Sequence, residues 1–132
     1  LGGGISRTQL PCILVMDFRK EVPDLQTRKQ ESQNLCQNHP NKAPVIIQPS
    51  NIPQNTLRIP QNKFLVPMLY TFHEFLFHLR KKLQMSSNES LYIVVGNAHM
   101  PAMNKTIKQI YSELKDPDGF LYITYSSEAV LG

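Results

Sequence analysis

The 132-residue sequence contains only two cysteines, Cys12 and Cys36, and neither belongs to a C-x-x-C pair. Two widely spaced cysteines without a partner motif are typical of free thiols in a reducing compartment, and they argue against a metal site. The chain also has no apolar run of the ~18 residues that a membrane-spanning helix needs. Residues 10–16 are apolar but short, and they lack the basic flank and small-residue cleavage site of a signal peptide.

Charge of one sign is not concentrated anywhere along the chain. The 14 Lys and Arg residues give a formal net charge of only +4 against 10 Asp and Glu residues, and the longest basic run is residues 80–82. A nucleic-acid-binding protein would be expected to show a basic stripe interleaved with aromatic residues. We therefore expect mild attraction to acidic surfaces and no nucleic acid partner.

Groups suited to catalysis are few and scattered. The candidate bases are His39, His73, His78 and His99. His73 and His78 are five residues apart, a spacing that does not place two side chains on one face of a helix. No Gly-rich dinucleotide loop, P-loop or HExxH motif is present. We expect structural or surface roles for the histidines, and the sequence gives no reason to expect an enzyme.

The spacing of apolar and turn residues predicts seven elements in the order helix, strand, strand, helix, strand, helix, strand. The clearest is a helix that starts with a T-x-x-E capping box, Thr71 and Glu74, and continues with apolar residues at helical spacing. We expect a short polar helix after the cap Asp24, and a second amphipathic helix after the cap Asn104. The other expected elements are strands at 45–48, 63–66, 91–95 (a buried strand) and 120–125, loops at 39–44, 49–62 and 86–90, and a turn at 116–119.

One amphipathic helix of this length can cover one face of a four-stranded sheet, which predicts an α+β fold of the β-grasp type. The strand at 63–66 is expected at a sheet edge, where an extended peptide could add as a further strand. The alternative is an ordinary edge strand that Lys63 protects from pairing. Residues 1–15 are expected to be an N-terminal extension or cloning remnant, with a docking strand as the alternative, so that the domain spans residues 16–132.

Four segments resemble one known family. "HPNKAPVII", "NKFLVP", "RKKLQ" and "KDPDGFLYITYSSEAVLG" are similar to the autophagy ubiquitin-like modifiers, the microtubule-associated protein light chain 3 and GABARAP family. The resemblance runs from about Asp24 to Gly132 and does not include residues 1–15. It implies a ubiquitin-like β-grasp fold with one or more additional N-terminal helices, and it implies a substrate of other enzymes rather than an enzyme.

The resemblance also implies a role for the terminal residue, Gly132. An E1-like enzyme would activate this glycine, an E2-like enzyme would carry it, and an amide would join it to phosphatidylethanolamine. A cysteine protease would process and deconjugate the chain. These partners imply a cytoplasmic protein that becomes lipid-anchored at the autophagosome membrane, with tubulin and the cytoskeleton as further associations. The alternatives are a protein-to-protein modifier and an unconjugated binding module, since Leu131 stands where the family usually has an aromatic residue.

The family binds aromatic-x-x-aliphatic motifs in cargo receptors and adaptors, and the resemblance implies which residues do so here. The positions that match a first peptide pocket are Glu31, Leu35, Pro44, Ile46, Lys63, Leu65 and Phe120. Those that match a second pocket are Phe64, Val66, Pro67, Phe75 and Leu79, with Arg80 and Lys82 as basic residues on the groove rim. His78 stands beside the second pocket, where the family usually has an aliphatic residue. No cofactor and no metal are implied.

Overall fold

The computed structural model describes residues 18–50, 61–96 and 100–129, which contain four helices and four strands. The helices are α1 (Phe18–Glu21), α2 (Leu25–Asn38), α3 (Phe72–Lys82) and α4 (Ile107–Leu114). The strands are β1 (Lys42–Pro49), β2 (Lys63–Pro67), β3 (Glu89–Val95) and β4 (Leu121–Ala129). The predicted order of elements is confirmed, and the short helix α1 precedes it. None of the helices in these ranges is long and apolar enough to cross a membrane.

Side-chain caps start α2 and α3 where the sequence predicts them. The Asp24 carboxylate accepts a hydrogen bond from Thr27 N at 3.0 Å. The Thr27 hydroxyl, and next its backbone N–H, hold the pKa of Asp24 below its usual range. Glu74 N donates to Thr71 Oγ1 at 3.1 Å, and Thr71 N donates to Glu74 Oε1 at 2.9 Å. The capping box of α3 pairs two backbone donors that the first helical turn would otherwise leave unpaired.

The predicted cap of α4 is wrong by two residues. Thr106 is the N-cap, and its hydroxyl accepts from Gln109 N at 3.2 Å. Thr106 N in turn donates to Gln109 Oε1 at 2.9 Å, so T-x-x-Q forms a second capping box. Asn104 lies in the preceding turn. The reciprocal T-x-x-Q pair satisfies two backbone donors, whereas a lone asparagine cap satisfies one.

The strands form one mixed sheet in the order β2-β1-β4-β3. β1 and β4 run parallel at the centre, with Val45 opposite Leu121, and each pairs with an antiparallel edge strand. This arrangement confirms the predicted β-grasp fold with additional N-terminal helices. The predicted break at 39–44 is partly wrong, because β1 already begins at Lys42. Pro44 is tolerated there because it exchanges no backbone hydrogen bonds with its partner Leu65 on β2, and because pairing with β4 begins only at the next residue, Val45.

Both faces of the central strands are buried. One face packs against α3 and α4, and its fully buried residues include Ala43, Val45, Ile47, Phe72, Val95, Ile107, Leu121 and Ile123. The opposite face packs against α1 and α2 through a smaller cluster of Phe18, Ile46, Phe120 and Tyr122. The residues of β1 therefore read as a continuous apolar run, as expected of a strand covered on both sides.

The edge strand β3 is only half covered, so its prediction as a buried strand is wrong. Ile93 and Val95 are buried in the core, whereas Tyr92 and Val94 are about half exposed. Antiparallel edge strands commonly keep one face in solvent, and a run of apolar residues alone does not distinguish the two cases. β3 also begins earlier than expected, at Glu89. Among the other expectations, residues 1–15, most of the loop at 49–62 and residues 130–132 lie outside the described ranges.

A buried ion pair joins α2 to the turn before β4. Arg28 Nε donates to Asp118 Oδ2 at 2.8 Å, and Asp118 is fully buried. The same carboxylate accepts from the Tyr122 hydroxyl at 2.6 Å and from Phe120 N at 2.9 Å. Burial, followed by the bond to Asp118, raises the pKa of Tyr122 well above its usual value. These three donors compensate the buried Asp118 carboxylate for the loss of its hydration.

The predicted turn at 116–119 is confirmed by the bond from Gly119 N to Asp116 O at 2.8 Å. Gly119 has a φ of +91°, a region that residues with a Cβ rarely adopt. A Cβ at this position would also collide with the Ser32 hydroxyl of α2. Ser32 Oγ donates to Asp118 O at 2.6 Å, so the close approach of helix and turn is itself hydrogen-bonded.

We predict that Asp118→Asn lowers the free energy of unfolding by about 3 kcal/mol, because it leaves the buried Arg28 without a charged partner. The matched control is Glu113→Gln, which removes one charge from an exposed pair with Lys105 and should cost less than about 1 kcal/mol. The free energy of unfolding of both variants is measured by urea unfolding. The transition is followed by far-ultraviolet circular dichroism, because the chain has no tryptophan to serve as a fluorescent probe. Equal stabilities of the two variants would contradict this role for the buried pair.

Candidate functional site

The free edge of β2 is the centre of the candidate site. Within the described residues, β2 pairs with β1 only. Ile47 N donates to Asn62 O at 2.8 Å, so these two residues form a hydrogen-bonded pair of the antiparallel ladder. Hydrogen-bonded and non-hydrogen-bonded pairs alternate from there along β1 and β2. Phe64 therefore bonds toward β1, whereas the backbone groups of Lys63 and Leu65 point outward from the sheet. An extended peptide could pair with these two residues.

One of the outward groups has a partner within the chain. The Gln61 side-chain Nε2 donates to Lys63 O at 2.6 Å. A strand added along this edge would replace that bond with one from its own backbone. The Lys63 carbonyl is then hydrogen-bonded both with and without the peptide. The Gln61 amide that the peptide displaces is exposed, so it can bond to water instead.

The residues predicted for the first pocket lie on the face of the sheet that α1 and α2 cover. Ile46 and Phe120 are completely buried, and Pro44 is buried as well. Leu35 from α2 and Leu65 from β2 are half-buried above them. The structure therefore brings Leu35, Ile46 and Phe120 together in one cluster, and it pairs Pro44 with Leu65, which also lines the cavity between β2 and α3. Pro44, Ile46 and Phe120 lie beneath the surface.

Above this cluster, Lys63 Nζ forms an ion pair with Glu31. The same nitrogen lies 5.5 Å from the centre of the Phe18 ring. Phe18 is 2% exposed, and its ring meets that of Phe120 edge-to-face at 5.3 Å. Phe18 thus packs against Phe120 on this face, and the Lys63–Glu31 pair lies nearby.

The sequence analysis missed Phe18. Its backbone N donates to the side chain of Gln48 on β1 at 3.0 Å, which seats α1 against the sheet. A four-residue helix has no measurable apolar periodicity. The available signal was a single aromatic residue within the charged segment "MDFRKE".

The five residues predicted for the second pocket line one cavity between β2 and α3. They are Phe64, Val66, Pro67, Phe75 and Leu79. The cavity has a volume of about 210 Å³ and is lined mainly by apolar groups. Phe75 and Leu79 are almost fully buried and form its floor.

Two further aromatic rings complete the wall of this pocket. They are His78, which the resemblance implied beside it, and Tyr70, which the sequence analysis did not assign to it. Tyr70 and His78 stack with ring centres 5.1 Å apart and an angle of 11° between the planes. His78 is exposed on α3, one helical turn from Glu74 and Lys82. Tyr70 precedes the helix, and no periodicity indicates its position.

The two predicted basic residues of the rim differ in position. Lys82 lines the cavity, and its Nζ lies 5.4 Å from the centre of the Phe64 ring. The Arg80 guanidinium instead donates to the carbonyls of Ser86 at 3.0 Å and Glu89 at 3.2 Å. Arg80 therefore holds the loop after α3 and does not belong to the cavity wall.

Other candidate chemistry is limited in the described residues. No group of three His, Cys, Asp or Glu side chains that could hold a metal ion occurs within residues 18–50, 61–96 and 100–129. Cys36 is a free thiol, as predicted, and lies 3.7 Å from the Tyr111 hydroxyl. Burial, and next the contact with Cys36, raises the pKa of Tyr111. Cys12, His99 and Gly132 lie outside the described ranges.

Comparison with known proteins places this groove in a family context. The family model described as "Autophagy protein Atg8 ubiquitin like" matches residues 27–132. Human microtubule-associated protein 1 light chain 3 gamma is 34% identical over 86% of this chain and 77% of its own length. Autophagy-related protein 8 of Saccharomyces cerevisiae is 36% identical over 87% of this chain and 96% of its own length.

A solved structure agrees with these sequence matches. The crystal structure of Trypanosoma brucei ATG8 superposes with a TM-score of 0.72 at 30% identity, covering 83% of this chain and 92% of that one. The match to the family model spans most of the chain, including β2, α3 and the residues of both pockets. The chain belongs to the Atg8 family of ubiquitin-like autophagy proteins.

Proposed function

We propose that this protein is a ubiquitin-like modifier of autophagy that is joined through Gly132 to phosphatidylethanolamine. On the autophagosomal membrane it would recruit cargo receptors and adaptors that carry aromatic-x-x-aliphatic motifs. E1-like and E2-like enzymes and a cysteine protease would act on its tail, and the chain itself would catalyse nothing. Tubulin is a further proposed partner, in line with the microtubule association named for the human relative.

The observation that carries this proposal is the position of the two pockets on opposite faces of the β2 edge. Lys63 meets the N-terminal helices on one face, and Phe64 lines the cavity against α3 on the other. Successive side chains of an extended strand point to opposite sides, so residues three positions apart do as well. A peptide paired with β2 would therefore direct the first and fourth residues of such a motif to opposite faces.

The charges around the groove favour an acidic peptide. Lys82 lies at the mouth of the second pocket, and Lys63 lies above the first pocket with Glu31 as its partner. Acidic residues flanking the motif would be attracted to these lysines, which accelerates encounter and fixes the orientation of the peptide. The aromatic residue of the motif would meet Lys63, whose ammonium already lies near the Phe18 ring.

We predict that Lys82→Glu weakens binding of an acidic aromatic-x-x-Leu peptide by roughly tenfold at low salt, because it reverses a charge at the pocket mouth. The matched control is Lys81→Glu on the same helical turn. Lys81 Nζ packs over the exposed Phe77 and does not line the cavity. Isothermal titration calorimetry at two salt concentrations measures both variants. Equal losses would indicate an effect of net charge alone and contradict this groove.

An unconjugated binding module is the second candidate function, and one observation favours it. Leu131 precedes the terminal glycine, where the family usually has an aromatic residue. The activating and processing enzymes contact this tail, so the substitution bears on conjugation and leaves the groove intact. A protein lysine as acceptor in place of the lipid is the third alternative.

We predict that the chain forms a membrane-bound, faster-migrating product with E1-like and E2-like enzymes, ATP and phosphatidylethanolamine vesicles. Glycine has no Cβ to obstruct a narrow enzyme channel, so Gly132→Ala should abolish the product. Gel mobility and vesicle flotation measure the reaction, with another family member as positive control. If the positive control reacts and this chain does not, the unconjugated module replaces the modifier as the proposed function.

A further inference from the structure

The second pocket is lined by aromatic rings to an unusual extent. Phe64 and Phe75 contribute two rings from β2 and α3, and Tyr70 and His78 contribute a stacked pair. The planes of this pair are nearly parallel, at 11°, so the two rings stack against each other at the cavity wall. Four of the ten residues that line the cavity therefore carry planar rings.

The aromatic wall is held in place by the backbone on both sides of Tyr70. Tyr70 N donates to Pro67 O at 3.2 Å, and Tyr70 O accepts from Ile107 N at 2.8 Å. His78 is held between the Tyr70 ring and the Phe77 ring, which it meets at 5.6 Å in an edge-to-face arrangement. The stacked pair is therefore fixed by contacts within the folded chain.

The cavity is large enough for a guest ring. Its volume is about 210 Å³, whereas an apolar cavity of about 150 Å³ is sufficient to bind benzene. A ring placed among other rings gains offset-stacked or edge-to-face contacts in addition to its desolvation. A branched aliphatic side chain gains desolvation and dispersion but no ring–ring contacts. The cavity walls therefore favour a flat guest over a branched one.

Lys82 supports the same preference. Its ammonium lies over the Phe64 ring at the mouth of the cavity, where a guest ring would present a second aromatic face to the charge. A leucine or valine side chain has no such face. The neighbouring peptide positions would remain next to this lysine, so acidic flanking residues are compatible with an aromatic anchor.

We propose that the second pocket selects an aromatic side chain, phenylalanine in particular, as the fourth residue of the bound motif, and that Tyr70 and His78 determine this specificity. The inference rests on the proposed peptide-binding function of the same groove. It refines that function: among acidic peptides that bind this groove, those with an aromatic fourth residue would bind more tightly than those with the aliphatic fourth residue that the family resemblance implies.

The test uses three acidic peptides that differ only in the fourth motif residue, which is Phe, Leu or Val. Their dissociation constants for the full chain are measured by isothermal titration calorimetry at one pH and salt concentration. We expect the Phe peptide to bind roughly 2- to 10-fold more tightly than the Leu peptide, and the Val peptide to bind most weakly.

Two variants locate the source of the preference. Tyr70→Val and His78→Ile each remove one ring of the stacked pair and should bring the ratio of Leu to Phe dissociation constants to about one. The matched control, Tyr92→Val, removes a half-exposed aromatic ring of β3 that does not line the cavity, and it should leave the ratio unchanged. Circular dichroism of each variant confirms that it is folded.

The outcomes separate this inference from the proposed function. If the Leu peptide binds wild-type protein as tightly as the Phe peptide or more tightly, the aromatic specificity is overturned while the peptide groove stands. If the preference exists but survives both variants, the assignment to Tyr70 and His78 is overturned. If none of the three peptides binds, the proposed peptide-binding function fails and the inference fails with it.

Discussion

The burial of β1 on both faces is the constraint on which the remaining structure depends. β1 lies between β2 and β4 and carries buried side chains on both of its faces. Each face therefore requires its own apolar cover. α3 and α4 supply one cover, and the N-terminal helices supply the other through Phe18. Because the covers lie on opposite sides of the sheet, their seams with β2 create two separate pockets. The groove is thus a consequence of how the central strand is buried.

The position of α2 depends in turn on the buried pair of Arg28 and Asp118. A buried ion pair stabilises a fold only when its remaining hydrogen-bonding groups also have partners. Here the Tyr122 hydroxyl and Phe120 N donate to the Asp118 carboxylate. The pair fixes one side of α2 against the turn before β4. Glu31, three residues further along the helix, then faces Lys63 at the groove. The buried Arg28–Asp118 pair therefore helps to position Glu31, a residue of the candidate site.

Local signals predicted the fold well because most of them act over a few residues. The capping box at Thr71 and the turn at Gly119 each contain their own partners, so the sequence alone identifies them. The exposure of one face of β3 could not be predicted, because the burial of a strand face depends on which helices pack against it, and those helices are distant in the chain. Phe18 and Tyr70 were missed for the same reason. Each reaches its site through tertiary packing, with no periodic pattern to indicate it.

The sheet order also separates the two parts of the proposed function. β1 lies between β2 and β4, so the groove edge and the strand that leads to Gly132 are two strand spacings apart, roughly 10 Å. β4 pairs with β1 only as far as Tyr125, and its last residues continue alongside β3 to Ala129. The described part of β4 therefore ends at Ala129, beyond the end of β1 and beside β3, on the side of the sheet away from β2. The strand that precedes the proposed conjugation site and the strand that would pair with a peptide are thus different strands, separated by β1.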